Sequence, residues 1–342
     1  MDCVKINYAG IDLGYDTVKL VANGMKEVLQ YPSLAEERDS SVEDLRVESG
    51  FSKEKMLISV EDNEKLYDFG VGEYVANQFS SGGANYNPDK FKTTGELAKL
   101  LAGFSTLHPD KAKILVNSLV TGLPIKYYDK YKEEIKDRFQ GSFKAAVNNR
   151  TVEYVFTSVS VIPQGVASIF YHMNQNSNFN FNSIMCPIVD IGGRTTDGVA
   201  YNYGDLVEES TFSLERGMSN VFKRISKQMV VDEKIIREAI INDQDTITYE
   251  QETINISDYV NRECKWLADK IVEGVYNEWR DFIRNVTEVY IVGGGASILE
   301  PYLRESFGKI DVSLISNPQQ ANAFGYRLRA EAVYQKKGDS NE

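Results

Sequence analysis

Residues 188–198 read Ile-Val-Asp-Ile-Gly-Gly-Arg-Thr-Thr-Asp-Gly, a short apolar run that breaks at two glycines and then turns back. The apolar run predicts a buried strand, and the return predicts a hairpin. Its turn can wrap a phosphate, because it offers small hydroxyls and glycines that let backbone amides approach closely. Asp190 would repel a phosphate directly, so it indicates a divalent cation or an attacking water between the two. An ordinary hairpin with a Gly-Gly turn is the alternative that this segment alone leaves open.

A second segment near the N-terminus repeats this plan. Residues 9–20 read Ala-Gly-Ile-Asp-Leu-Gly-Tyr-Asp-Thr-Val-Lys-Leu, so Asp-Leu-Gly at 12–14 matches Asp-Ile-Gly at 190–192 in type and spacing. Thr17 lies near the position of Thr195. Lys19 follows Thr17 by two residues in an extended segment, so it points the same way and can reach a phosphate as a point charge. A solvated surface lysine is the alternative for Lys19. The two hairpins suggest two similar half-domains facing one ligand.

Composition and charge narrow the class of protein. The chain of 342 residues has room for two domains, and its 42% hydrophobic and 26% charged residues are typical of a soluble globular protein. Its net charge of −12 comes from 38 basic and 50 acidic side chains. This balance argues against non-specific binding of nucleic acid and is compatible with a basic protein partner.

Cysteine and histidine usage argues against a zinc site or a disulfide framework. The three cysteines, Cys3, Cys186 and Cys264, are far apart, and the only histidines are His108 and His172. A reducing, cytoplasmic location fits this pattern. No apolar run approaches the length of a membrane span, and the first residues lack a signal-peptide pattern, so we expect no membrane partner.

Strands alternating with helices predict an α/β fold class. Hydrophobic periodicity predicts helices over residues 129–139, 218–229 and 233–241, and a long helix after Ser257 whose apolar face reaches Phe282. Thr93 and Glu96 form a capping-box pattern before another helix. The polar tail Lys336–Glu342 is expected to be disordered.

Two further segments carry polar or glycine-rich chemistry. Gln164, in Pro163-Gln-Gly165 after a strand, can orient an attacking water, although a terminal helix residue without a role is the alternative. Residues 291–296 read Ile-Val-Gly-Gly-Gly-Ala, and these glycines would let a flat ring or ribose lie against the backbone. The sequence has neither the GxGxxG dinucleotide fingerprint nor a GxxxxGK[ST] P-loop, which weakens the case for an oxidoreductase or a P-loop enzyme.

These segments come in order along the chain, and together they resemble the five motifs of the superfamily of actin, sugar kinases and heat-shock ATPases. They are Asp12-Leu-Gly14 with Lys19, Pro163-Gln-Gly165, Asp190–Asp197, Val292–Ala296 and Asn322-Ala-Phe-Gly325-Tyr326. Within this superfamily the chain most resembles the bacterial actin-like plasmid-segregation proteins, the ParM-like group. The segment Gly122–Tyr128 is also similar to that group.

The resemblance implies an actin-like ATPase fold of class α/β, with two RNase-H-like domains, a nucleotide cleft between them and small insertion subdomains. By position, residues 1–163 would form the first domain, with an insertion at about 35–92. Residues 164–318 would form the second, with an insertion at about 215–272, and residues 319–336 a C-terminal helix that returns to the first domain.

The resemblance also implies ATP and Mg²⁺ as ligands. Asp12 and Asp190 would organise the Mg²⁺ shell through water, and Gln164 would position the attacking water, so these three would be catalytic. The nucleotide would be held by glycines, hydroxyls and charged residues of three segments, namely Gly14, Tyr15, Asp16, Thr17 and Lys19; Gly192, Gly193, Arg194, Thr195 and Thr196; and Gly293, Gly294, Gly295 and Ala296.

Two residues depart from the ParM-like pattern. Many ParM-like proteins have a glutamate at the position of Gln164, which is the actin-like choice. Arg194 occupies a loop position that is often small or uncharged, and we expect it to touch the γ-phosphate or a neighbouring subunit. A solvated arginine is the alternative for that position.

The function implied is ATP hydrolysis coupled to polymerisation into dynamic filaments that segregate plasmid DNA. The expected partners are copies of the same chain and a DNA-bound adaptor of the ParR type, with no direct contact to nucleic acid. Alternatives are a metabolic small-molecule kinase of the same superfamily, and an actin-like filament that positions phage DNA or organises the cell.

Overall fold

The computed structural model describes residues 2–38, 52–78, 88–147 and 150–339. The chain divides into two compact units: unit 1 comprises Met1–Tyr171 and Asn322–Glu342, and unit 2 comprises His172–Ala321. We predicted a division after residue 163, whereas the units divide after Tyr171, inside a helix. Part of the insertion predicted at about 35–92 lies outside the described residues.

The described residues form strands and helices that alternate along the chain. The strands are β1 (Cys3–Leu13), β2 (Thr17–Ala22), β3 (Leu29–Pro32), β4 (Ala35–Glu37), β5 (Met56–Asp62), β6 (Lys65–Val71), β7 (Lys113–Leu123), β8 (Gly141–Val147), β9 (Arg150–Phe156), β10 (Val159–Pro163), β11 (Met185–Ile191), β12 (Thr196–Asn202), β13 (Asp205–Leu206), β14 (Phe212–Leu214), β15 (Thr246–Tyr249), β16 (Glu252–Asn255), β17 (Glu288–Val292) and β18 (Asp311–Leu314). The helices are α1 (Glu73–Gln78), α2 (Thr94–Leu107), α3 (Ile125–Phe139), α4 (Val166–Gln175), α5 (Met218–Met229), α6 (Glu233–Ile241), α7 (Ser257–Glu278), α8 (Ala296–Phe307) and α9 (Ala321–Asp339).

The central sheet of unit 1 is built around the first hairpin. Strands β3, β2 and β1 pair antiparallel, β1 pairs parallel with β7, and the C-terminal half of β7 pairs parallel with β10. The N-terminal half of β7 pairs instead with β9, from which β8, β5, β6 and β4 continue the same sheet to ten strands. The strands of the predicted insertion therefore extend the main sheet.

Helix α2 supplies much of the core of unit 1. Its apolar stripe, Leu97, Leu100, Leu101 and Phe104, is fully buried and belongs to the same hydrophobic cluster as the inner residues of β1, β2 and β7. The Thr93 hydroxyl accepts a hydrogen bond from the Glu96 amide, as the capping pattern predicts. The reciprocal half of the capping box is replaced, because the Glu96 carboxylate pairs with Lys99 one turn further along.

Unit 2 repeats the strand order of unit 1. Strands β14, β12 and β11 pair antiparallel, β11 pairs parallel with β17, and β17 pairs parallel with β18. The sequence β14-β12-β11-β17-β18 thus corresponds, strand for strand, to β3-β2-β1-β7-β10. The repeated hairpin of the sequence therefore belongs to a repeated sheet.

The core of unit 2 lies between this sheet and helices α5, α7 and α8. The apolar face of α7 runs through Cys264, Leu267, Ile271 and Val275, all fully buried. Helices α5 and α6 have the bounds that periodicity predicts. Among the described residues, no helix has the length and apolar character needed to cross a bilayer.

Several details differ from the predictions. Helix α3 begins at Ile125, four residues before its predicted start at residue 129. Phe282 lies beyond the end of α7, because that helix ends at Glu278 and is closed by an amide–carbonyl bond from Trp279 to Val275. Lys336 does not begin a disordered tail, since α9 continues to Asp339; residues 340–342 lie outside the described part. Strand β8, which pairs with β9 and β5, was not predicted.

Candidate functional site

The first hairpin joins two charged side chains across its strands. Asp12 on β1 lies directly opposite Lys19 on β2, and Lys19 Nζ is 3.1 Å from Asp12 Oδ2. Asp12 is 5% exposed and Lys19 is 9% exposed, so Lys19 is not the solvated surface lysine of the alternative interpretation. The four residues between the last paired residues, Leu13 and Val18, are half-buried and form the loop of this hairpin, residues 14–17; Thr17 is also the first residue of β2.

A lysine from a distant segment holds the inner side of this loop. Lys90 is fully buried, and its Nζ donates hydrogen bonds to the carbonyl oxygens of Leu13 (2.8 Å) and Gly14 (2.9 Å). The same ammonium lies 4.2 Å from the centre of the Tyr15 ring, in cation–π contact. Lys90 therefore contacts three successive residues where β1 ends and the first loop begins.

Buried charges surround Lys90. Its Nζ is 3.9 Å from the Glu96 carboxylate, which also pairs with Lys99, and Lys99 Nζ donates to the Ser33 hydroxyl at 3.0 Å. Burial lowers the pKa of Lys90 to about 8, although the carboxylate of Glu96 favours the charged ammonium. The cluster has two ammonium groups and one carboxylate.

The residues of the two predicted connector segments meet in unit 1. Gln164 Nε2 lies 3.5 Å from Asp12 Oδ1, at the outer limit of a hydrogen bond. Gly165 adopts a positive φ of 81° and donates its N–H to Asn322 Oδ1 at 3.0 Å. A side chain at Gly325 would collide with the Ala167 carbonyl, because a Cβ there would lie 1.8 Å from its oxygen. Gln164 is part of the turn that precedes α4, so it is not the terminal helix residue of the alternative interpretation.

The second hairpin has the same register as the first. Asp190 on β11 lies opposite Asp197 on β12, in the place that Lys19 has in the first hairpin. The four loop residues 192–195 are again half-buried, and the Gly192 N–H donates to the Thr195 carbonyl at 2.8 Å. The two hairpins therefore share loop length, strand register and the position of one aspartate.

The start of helix α5 holds the inner side of this second loop. The amides of Met218 and Ser219 donate to the carbonyl oxygens of Gly192 (3.1 Å) and Gly193 (2.8 Å). Gly217 allows this close approach, because a Cβ at that position would lie 2.5 Å from the Gly193 oxygen. Arg194 and Thr195 form the rest of the loop.

The two predicted threonines of this loop have different environments. The Thr195 hydroxyl donates to Asp197 Oδ2 at 2.9 Å in the half-buried loop. Thr196 is fully buried on β12, and its hydroxyl donates to the Arg216 carbonyl at 2.8 Å. The Thr196 hydroxyl proton is thus bonded to a backbone carbonyl. In this respect Thr196 differs from the half-buried loop residues with which it was predicted to bind nucleotide.

The glycine triplet lies beside Asp190. Gly293 follows β17, which pairs with β11, and it has a positive φ of 98°. A Cβ at Gly293 would lie 2.4 Å from Asp190 Oδ1. The Gly295 N–H donates to the Ile191 carbonyl at 2.9 Å, which fixes the triplet against the end of the hairpin strand. Gly294 is exposed, and Ala296 begins α8.

A groove of about 510 Å³ opens beside the first turns of α8. Its walls come from the end of α6, the start of α7 and the exposed side of α8. They include Ser297, Ile298 and Tyr302, and the Tyr302 hydroxyl donates to Asn261 Oδ1 at 2.6 Å. This groove, the contacts of Lys90 and the contacts of the α5 start with the second loop were not predicted from the sequence.

No group of three or more His, Cys, Asp or Glu side chains placed to hold a metal occurs among the described residues. The first hairpin instead offers one buried aspartate, Asp12, and the second offers two, Asp190 and Asp197. Mg²⁺ is commonly bound by one or two carboxylates together with waters and phosphates. The carboxylates present therefore suit a metal that arrives with a phosphate ligand.

Both halves of the chain match known protein families. Residues 10–166 match the family of actin-like protein N-terminal domains, and residues 188–305 match the C-terminal domain of archaeal MreB-like actin homologues. An archaeal actin homologue of Thermoplasma volcanium is 26% identical over 62% of this chain and 67% of its own length. The two models match successive parts of the chain, and both describe actin-like proteins or actin homologues.

Solved structures with the same fold confirm the predicted fold class. The actin-like protein Alp7A superposes with a TM-score of 0.83 at 14% identity, over 99% of both chains. A ParM from a 15-stranded filament of Clostridium botulinum has a TM-score of 0.75 at 21% identity, over 97% of this chain and 100% of its own. An archaeal actin homologue in complex with ADP has a TM-score of 0.74 at 18% identity, over 97% and 100%. The similarity extends to ParM, Alp7A and archaeal homologues alike and does not single out the ParM-like group.

Proposed function

We propose that this protein binds and hydrolyses ATP and that it polymerises into filaments. The observation that carries the proposal is the repeated hairpin, with a buried aspartate at the same register position, Asp12 or Asp190, and a four-residue, half-buried loop in each unit. In both loops two successive carbonyl groups are bonded to the protein interior. An actin-like homologue has been solved with ADP, which supports the choice of an adenine nucleotide.

The direction of the peptide groups explains how these loops would bind phosphate. The described residues contain no cis peptide, and in a trans peptide the C=O and the N–H point in opposite directions. Since the Leu13 and Gly14 carbonyls face Lys90, the N–H groups of Gly14 and Tyr15 face away from it. In the second loop the N–H groups of Gly193 and Arg194 likewise face away from α5. Successive N–H groups aimed to one side form a nest for an anion.

Several charged and hydroxyl side chains would complete the phosphate contacts. Lys19, Thr17 and Thr195 stand at the loop ends, and Arg194 would supply a positive charge from the middle of the second loop. Asp16 lies within the first loop and would not contact phosphate directly, because the two charges repel. We assign Thr196 a supporting role, because its hydroxyl bonds to the Arg216 carbonyl.

Asp12 and Asp190 are the residues that would hold Mg²⁺, through water. The ion would neutralise charge on the phosphates when it is bound. Gln164 would orient an attacking water, since its amide lies beside Asp12 and a glutamine can donate and accept at once. It is not a strong base, so the reaction would depend on orientation and electrostatic stabilisation.

The nucleoside would lie against Gly293–Gly295 and Ala296, and the base would enter the groove beside α8. Gly294 is exposed at the edge of the triplet, and Ile298 lines the groove one turn into the helix. Ser297, Asn261 and Tyr302 offer polar groups around this apolar side chain. A groove that is partly apolar with a few polar groups is the usual form of a nucleoside site.

Filament formation rests on the similarity of the chain to actin-like proteins. One structure of the same fold is a ParM filament, so self-association is the first partner that we propose. The finer proposal is that the protein acts in the cytoplasm and segregates plasmid DNA through a basic DNA-bound adaptor of the ParR type. The net charge of −12 is compatible with such a basic partner and makes direct binding to nucleic acid unfavourable.

Phosphate release tests the enzymatic part of this proposal. Purified protein is mixed with MgATP, and phosphate is measured with and without added hexoses and acetate. We expect phosphate release that depends on ATP and whose rate is not changed by these acceptors. Release only after addition of one acceptor, with formation of the phosphorylated acceptor, would instead identify a metabolic kinase.

A further inference from the structure

We propose that Lys90 is a positioning residue that aims the first phosphate loop, and that it does in unit 1 what the start of helix α5 does in unit 2. The inference rests on the proposed nucleotide binding. It concerns a residue 77 positions away from the loop that it contacts. Lys90 itself would not touch the nucleotide, because it lies on the carbonyl side of the loop.

The two loops are held by equivalent contacts from different chemical groups. In unit 2, two consecutive helix amides bond to two consecutive carbonyls, those of Gly192 and Gly193. In unit 1, one ammonium group with three N–H donors bonds to the consecutive carbonyls of Leu13 and Gly14. No helix start is needed there, since a single lysine supplies both donors.

The surroundings of Lys90 keep its ammonium in place. The side chain is 1% exposed, the Tyr15 ring covers it and Glu96 lies 3.9 Å away. A buried ammonium is costly unless hydrogen bonds and a counter-charge compensate it, and here it has two carbonyls, a ring face and a carboxylate. Burying the Lys90 ammonium costs free energy. That cost is explained by a loop that must present its N–H groups in one direction before the ligand binds.

The position of Lys90 also adds positive charge behind the loop. The loop's own carbonyl dipoles point at the ammonium, so their N–H ends are directed toward the proposed phosphate position. Lys90, Lys99 and Glu96 together carry one net positive charge when all three are ionised. A buried cation on the far side of an N–H nest favours an anion on its near side.

Lys99 provides a matched control, because it belongs to the same buried cluster but contacts Ser33 and Glu96 and not the loop. The test compares Lys90→Met with Lys99→Met, since each removes one buried ammonium that pairs with Glu96. Two quantities are measured: hydrogen exchange of peptides covering residues 12–19 and 190–198 in the nucleotide-free protein, and the dissociation constant of MgADP.

We expect Lys90→Met to speed exchange of the amides at 14–17 by about tenfold, while the amides at 192–195 are unchanged. We expect MgADP binding to weaken by about tenfold or more. Lys99→Met should lower thermal stability to a similar extent and leave both readouts near wild type. Equal effects of the two variants on loop exchange and on binding would overturn the proposal.

Two further arms keep the test decisive. If Lys90→Met does not fold, the double variant Lys90→Met/Glu96→Gln is compared with Glu96→Gln alone, because the uncompensated carboxylate is then absent. If the wild-type protein binds no MgADP, the proposed function fails, while the exchange data still decide whether Lys90 orders the loop.

Discussion

Asp12 and Lys19 form a buried ion pair across the first hairpin, with 3.1 Å between Lys19 Nζ and Asp12 Oδ2, whereas the matching pair in the second hairpin is Asp190 and Asp197. At the same register position, the first hairpin thus has a carboxylate opposite an ammonium, and the second hairpin has two carboxylates opposite each other. The aspartate of the first hairpin is therefore neutralised by an ammonium, whereas the second hairpin has the greater density of carboxylate oxygens for a hydrated cation.

Lys19→Met should weaken MgATP binding and lower stability at the same time. Removal of the ammonium leaves the buried Asp12 carboxylate without its charged partner, which costs about 1–3 kcal/mol of unfolding free energy. Loss of a phosphate contact should weaken MgATP binding by about tenfold, or about 1.4 kcal/mol. Chemical unfolding and calorimetric titration measure the two effects separately.

The double variant Asp12→Asn/Lys19→Met is the control for this pair. Its stability should recover relative to Lys19→Met, because no uncompensated buried charge remains. Its MgATP affinity should stay low. Recovery of both properties would mean that Lys19 acts only as a structural partner of Asp12.

Asp190→Asn should stop hydrolysis while the fold is retained. The carboxylate lies at the end of β11 beside Gly293, where the proposed hydrated Mg²⁺ would be held. We expect phosphate release to fall on the order of 100-fold, and filaments formed with ATP to persist. Electron microscopy and phosphate release over the same time course measure this. Rapid disassembly of the variant filaments in ATP would contradict the assignment of Asp190.

Gly293→Ala should damage the site beyond its effect on backbone strain. Gly293 has a φ of 98°, and a Cβ there would lie 2.4 Å from Asp190 Oδ1 and from the Ile191 carbonyl oxygen. Strain alone costs about 1–3 kcal/mol, and the collision should also displace Asp190 and weaken MgADP binding. Thermal unfolding and MgADP titration distinguish the two contributions.

Gly308→Ala is the matched control for this substitution. Gly308 has a positive φ of 66°, but a Cβ there meets no atom within 4 Å. It should lose stability through strain and bind MgADP like the wild type. If both alanine variants bind MgADP equally well, the triplet does not shape the nucleotide site.

Acidification should destabilise unit 2 through His172. Burial lowers the pKa of His172 below its ordinary value of 6.5, and Glu288 only partly opposes this. The ring stacks edge-on against Phe179, and its Nδ1 lies 3.2 Å from the Asn176 amide nitrogen, which donates to the neutral ring. The unfolded chain therefore binds more protons below about pH 6.5, and stability falls as pH decreases through that value.

His172→Gln isolates this contribution from the carboxylates that also titrate in acid. We expect the loss of melting temperature between pH 7.5 and pH 5.5 to be smaller in the variant than in the wild type. Differential scanning calorimetry at the two pH values measures it. An equal or larger loss in the variant would show that His172 is not responsible.

The parts of the fold that local pattern determines could be predicted from the sequence. Helices α5 and α6 follow from their amphipathic periodicity, and the two hairpins follow from apolar runs that break at glycine. The burial of Lys19 could not be decided in this way, because a lysine in an extended segment is usually exposed. Its pairing with Asp12 depends on the hairpin register, which the spacing of the two residues permits but does not prove.

The contacts that hold the loops come from residues far away in the chain. Lys90 lies in a polar segment with other lysines, and nothing local distinguishes it from a solvated side chain. Its burial depends on how α2 packs beneath β1. Thr196 shows the opposite case, since its neighbour Thr195 has the same residue type but lies in the half-buried loop, whereas Thr196 is the first residue of the buried strand β12. Pattern alone could not separate the two.

Light scattering at 90° after addition of MgATP, with phosphate release followed in the same sample, tests the central claim most directly. A dynamic actin-like filament predicts scattering that rises on addition of MgATP and decays as phosphate accumulates, with no rise in MgADP. Scattering that stays flat at every protein concentration, together with phosphate release only in the presence of a sugar or acetate, would contradict it.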